Sequence, residues 1–104
     1  MRLLTYILAL VVLFNASFVQ AAGDPSEGAK KAALCAACHG PNGISVNPLW
    51  PNLAGQHQAY LARQIKAFRD GGRQEATMSA FVSNLSDQDV EDLATHFAEL
   101  KACP

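Results

Sequence analysis

The sequence predicts an all-α fold of about three main helices joined by long loops. Apolar residues recur at helical spacing in two separate stretches, and capping residues stand where the helical stretches begin. No segment alternates convincingly enough to form a strand. The intervening chain is rich in Pro, Asn and Gly, which favour turns over regular ladders. At 104 residues there is room for one domain, and nothing in it repeats or thins into a linker.

The first stretch reads as a targeting segment rather than as fold. Met1-Arg2 gives a positive start, Leu3 to Phe14 is almost unbroken apolar chain, and Val19-Gln20-Ala21-Ala22 supplies small residues for a peptidase. The apolar run is short for a membrane-spanning helix, which needs about 20 residues. Residues 1–21 are therefore expected to be a signal peptide cleaved after Ala21, with residues 22–104 the domain; an uncleaved anchor is the alternative. The 50% hydrophobic content is inflated by this leader. Without it, seven basic residues stand against nine acidic ones, a net charge of −2. Nothing in that balance is basic enough to suggest a nucleic-acid partner. A domain this small is marginal unless something else supplies apolar surface.

Asp24-Pro25-Ser26-Glu27 opens the first helix with a cap, an early Pro and an acidic residue at the positive end of the helix dipole. Ala29 to Ala37 continues it with strong helix formers, and Gly40-Pro41-Asn42-Gly43 stops it. Irregular loop is expected from there to Gly55. The second helix runs from about Gln58 to Asp70 and ends at Gly71-Gly72. Leu61, Ile65 and Phe68 share one face. Arg63, Lys66 and Arg69 share another, read as a solvated surface in preference to a docking patch. A loop of small and polar residues then holds Met78. The last helix begins at Ser86, with Asp89 completing an imperfect capping box and Val90, Leu93, Ala94 and Phe97 forming its buried stripe.

Cys35-Ala36-Ala37-Cys38-His39 carries the chemistry. Covalent haem attachment needs two thiols presented from one turn of chain, and an adjoining His that swings under the iron; this spacing meets both demands. A redox dithiol would use the same cysteines, but it belongs with strands that this sequence lacks. A zinc site would need further ligands, and His57 and His96 are isolated. One covalent haem c is therefore expected, on Cys35 and Cys38, with His39 an axial ligand. Beyond the leader Met78 is the only methionine. His96 reads as packing and His57 as surface, so Met78 is favoured as the second axial ligand, a pair that raises the reduction potential.

Taken together these residues resemble a class I c-type cytochrome over residues 24–102. Pro51-Asn52-Leu53-Ala54-Gly55 is similar to the family loop whose proline carbonyl accepts the proximal histidine's N–H. By that likeness Pro51 orients His39. Gly28 resembles the glycine where first and last helices cross, with Leu93, His96 and Phe97 at the family's contact positions. Cys38-His39-Gly40, Leu53-Ala54-Gly55-Gln56, Tyr60-Leu61, Gln64-Ile65, Phe68-Arg69, Met78 and Leu85-Ser86-Asp87 resemble a domain of the bacterial two-haem "cytochrome c four" group, and one attachment motif fits a single-haem relative. Ala32 departs from the pattern, standing where many members place an aromatic, so the crossing is expected to rest more on His96 and Phe97. Cys103 matches no functional position; it reads as an unpaired terminal thiol, with a Cys103-linked dimer as the alternative to a monomer.

The resemblance implies a periplasmic carrier of single electrons in a bacterial respiratory chain, meeting redox partner proteins briefly and touching the membrane only through them. Two protein ligands leave the iron no open site, which argues against an enzyme. Two further readings stay open: a haem-based ligand-binding or peroxidase-like protein, if Met78 is not bound, and a membrane-anchored haem subunit of a redox complex, if the leader is kept.

Overall fold

The computed structural model describes residues 22–103, and the expected leader lies outside them. Among the described residues, five α-helices and one 3-10 turn follow in order: α1 (Pro25–Lys31), the 3-10 turn (Ala32–Leu34), α2 (Ala36–His39), α3 (Gln58–Asp70), α4 (Ala76–Val82) and α5 (Asp87–Glu99). No strand occurs among the described residues. The three main helices expected are α1, α3 and α5; α2 and α4 are short additions.

The first helix differs from the expected single run. It is capped as predicted, Asp24 accepting from the backbone of Ser26 and Glu27. After Lys31 the backbone stays right-handed but tightens, with Cys35 N donating to Ala32 O at 2.9 Å. Alanine propensity alone does not choose between the two windings, and 3-10 turns are common at helix ends. Tertiary packing decides here: Ala32 is buried in the core and Cys35 packs partly against it.

The core is formed where α1, α3 and α5 meet. Ala32, Leu61, Ala62, Val90, Leu93, Ala94 and Phe97 make one buried cluster, with Leu53, Ile65 and Leu85 packed on its margin. Each fully buried Leu or Phe contributes about 1.5–3 kcal/mol relative to exposure. Contact between α1 and α5 is close because Gly28 is buried at their crossing. A Cβ there would overlap the Asp92 carbonyl and stand 2.7 Å from His96 Cβ. His96 meets Phe97 edge-on, ring centroids 5.0 Å apart, and Phe97 is buried in the same cluster as Ala32.

Polar groups tie the same helices. Asp92 is buried on α5 and accepts from Asp24 N at 2.8 Å, Lys31 Nζ at 2.7 Å and Gln88 Nε2 at 2.9 Å. The Asp24 N–H, then Lys31 and Gln88, hold the Asp92 carboxyl at about 2. The basic face of α3 is less free than expected. Lys66 pairs with Glu91 at 3.3 Å, and Arg69 reaches Asp87 at 2.9 Å and Leu85 O at 3.1 Å, while Arg63 is exposed. Two of the three cations thus stitch α3 to the chain around α5. The capping box at Ser86 is complete, both reciprocal bonds being made.

Candidate functional site

Helix α2 sets the geometry of the attachment sequence. His39 N donates to Cys35 O at 2.9 Å and Cys38 N to the same oxygen at 3.2 Å, one helical turn that places residues 35 and 38 on one side. Gly40 ends that turn at φ +83°, and Leu53 N and Ala54 N both donate to Gly43 O, at 2.8 and 3.1 Å. These bonds fold the loop back on itself, bringing Pro51 to His39.

His39 is buried, and its Nδ1 lies 2.8 Å from Pro51 O. A carbonyl oxygen has no proton to give, so Nδ1 donates. The ring is then the tautomer whose Nε2 keeps its lone pair for a metal. Burial pushes the Cys35 thiol up, and Cys38 beside it adds to the shift. A redox dithiol works the other way, through a lowered thiol. Among the described residues no three His, Cys, Asp or Glu side chains gather as a metal cluster, which a zinc site built from them would require.

Cys35, Cys38, His39 and Pro51 are therefore brought together. Met78 is carried separately, and the loop expected around it is instead α4, with Met78 half-buried in the first turn. The Glu75 carboxylate makes that turn by accepting the Met78 N–H at 2.7 Å. His57 is exposed and precedes α3 without a side-chain capping bond, and His96 packs on Phe97, as the sequence reading of each required.

Sequence reasoning passed over the apolar residues flanking these positions. Leu34 beside Cys35, Trp50 beside Pro51 and Phe81 one turn after Met78 are 69%, 42% and 53% exposed. Each leaves apolar surface uncovered beside a candidate site residue. The donors present, an imidazole nitrogen, two thiols and a thioether, fit haem c in their chemistry.

The cytochrome c family model matches residues 26–101. The chain is 45% identical over 92 residues to cytochrome c4 of Pseudomonas aeruginosa, an alignment covering 88% of this chain and 46% of that protein. It is 42% identical over 80 residues to cytochrome c-554(548) of Halomonas halodenitrificans, covering 74% of this chain and 96% of the other. The fold resembles reduced recombinant cytochrome c4 from Pseudomonas stutzeri, with TM-score 0.63, 33% identity, and coverage of 77% of this chain and 51% of that one. This chain thus spans about half the length of the cytochrome c4 proteins it matches. Haem c is the cofactor that this family's domain implies, and Cys35-Ala36-Ala37-Cys38-His39 fits its attachment motif. The helical fold, the Cys35–Cys38–His39 turn and a match over most of the domain agree: the chain belongs to the cytochrome c family.

Proposed function

We propose that this protein is a periplasmic carrier of single electrons in a bacterial respiratory chain, working through one covalently bound haem. Cys35 and Cys38 hold the haem by thioether bonds, His39 and Met78 supply the axial ligands, and Pro51 orients His39. The bound haem supplies a one-electron change at its iron. The observation that carries the reading is the 2.8 Å bond from His39 Nδ1 to Pro51 O, which fixes the imidazole with Nε2 free to coordinate.

With His39 and Met78 both holding the iron, no coordination position would be left for a substrate or dioxygen. The protein then acts on partners rather than on substrates, and it is not an enzyme. Donor and acceptor are redox proteins that dock briefly over a small area. Residues 1–21 direct the chain to the periplasm and are removed, leaving residues 22–104 as the working domain. Exposed Cys103 is a free terminal thiol on a monomer.

Acid–acetone extraction of the exported protein tests the attachment. Thioether-linked haem stays with the precipitated protein. Haem recovered wholly in the acetone supernatant would overturn the proposal.

A further inference from the structure

Helix α4 is seven residues long, too short to be stable alone. Its far end is held by burial: Val82 is in the interior, and Leu85, packed against the core, donates N–H to Val82 O at 3.1 Å. The near end, which carries Met78, is approached by chain that is exposed from residue 70 to residue 77. Two contacts organise that approach. Arg73 is pinned to α3, its N–H to Ala67 O at 3.0 Å, its guanidinium to Gln64 Oε1 at 2.9 Å and 4.4 Å above the Phe68 ring. Two residues later Glu75 grips the first turn of α4 twice, its carboxylate accepting the Met78 N–H at 2.7 Å and its backbone carbonyl the Ser79 N–H at 2.9 Å.

We propose that Glu75 is a positioning residue for the axial methionine: its carboxylate fixes the backbone at Met78 and so limits how often the thioether leaves the iron. The inference rests on the assignment of Met78 as ligand. Burial at Val82 cannot do this work, because it anchors the opposite end of the helix. Without the cap, the first turn frays in the manner of any helix end whose amides lack partners. Fraying there moves the sulfur that this turn presents. Glutamate is not among the favoured capping residues, and here its longer side chain reaches the third amide of the helix.

The test uses the exported, haem-loaded protein and its Glu75→Ala, Glu75→Asp and Met78→Ala variants. Carbon monoxide uptake by the ferrous form and the near-infrared methionine–iron band of the ferric form are the readouts. Glu75→Ala is expected to take up carbon monoxide about fivefold faster, in line with the loss of a typical cap. Its band weakens, and its Met78 amide exchanges hydrogen faster. Aspartate, a favoured cap, restores native behaviour in all three. Met78→Ala loses the band altogether. Native uptake and band in Glu75→Ala, beside a lost band in Met78→Ala, would overturn the role of Glu75 and leave the ligand assignment standing. A band retained in Met78→Ala would overturn the assignment and this inference with it.

Discussion

A neutral imidazole offers either ring nitrogen to a metal, and at His39 the Pro51 carbonyl selects between them. On the proposed function, attachment would depend on the cysteines and ligand strength on the Met78 sulfur. Met78→Ala is therefore expected to keep its haem, lower its reduction potential and bind added carbon monoxide or cyanide, as optical titration would show. Unchanged spectra and potential would return His57 or His96 to candidacy. Cys103 stands apart from this chemistry, exposed at the end of the chain. One reactive thiol per folded monomer is expected by thiol titration, and Cys103→Ser should leave haem content and potential unaltered. The attachment residues were legible because they adjoin one another in sequence. Contact between His39 and Pro51 spans 12 residues, and the resemblance to a family loop supplied it.

At the scale of elements, the polar bonding where α1 meets α5 centres on Asp92. Asp92 ties both to the chain before α1, so Asp92→Asn should destabilise the protein by about 1–3 kcal/mol in chemical denaturation, the cost of weakening a charged hydrogen bond inside a fold. The sign of the pH effect follows from the lowered carboxyl. Asp92 titrates at about 2 when folded and near 4 when unfolded, so its contribution is full above pH ~4 and is lost as pH falls toward ~2. The Asn variant should show a shallower loss of stability over that interval. Gly28→Ala is expected to cost at least about 2 kcal/mol, because its Cβ meets backbone rather than a movable side chain. Sequence reading located α3 and α5 from their periodic stripes but missed α4. Seven residues give too short a run for helical period to register, and its cap is a glutamate rather than a favoured residue. The Lys31–Asp92 pair was equally invisible, its partners lying 61 residues apart.

At the scale of the molecule, a small domain whose buried cluster is mostly alanine and leucine leaves several large apolar side chains outside it. A haem covering apolar surface of this kind would stabilise the folded state, and folding and haem retention would then be coupled. Intact mass of the exported protein is expected to correspond to residues 22–104 plus one haem, and a mass that includes residues 1–21 would favour the anchored alternative. The central claim, a one-electron carrier whose iron is closed on both sides by protein, is tested most directly by potentiometric titration with and without carbon monoxide. The account predicts one reversible transition with a slope of about 59 mV per tenfold change in the ratio of oxidised to reduced protein. Carbon monoxide binds only ferrous iron with an open position, and such binding draws the midpoint upward, so the shift in the native protein is expected to be far smaller than in Met78→Ala. A shift in the native protein as large as that of Met78→Ala would contradict the claim.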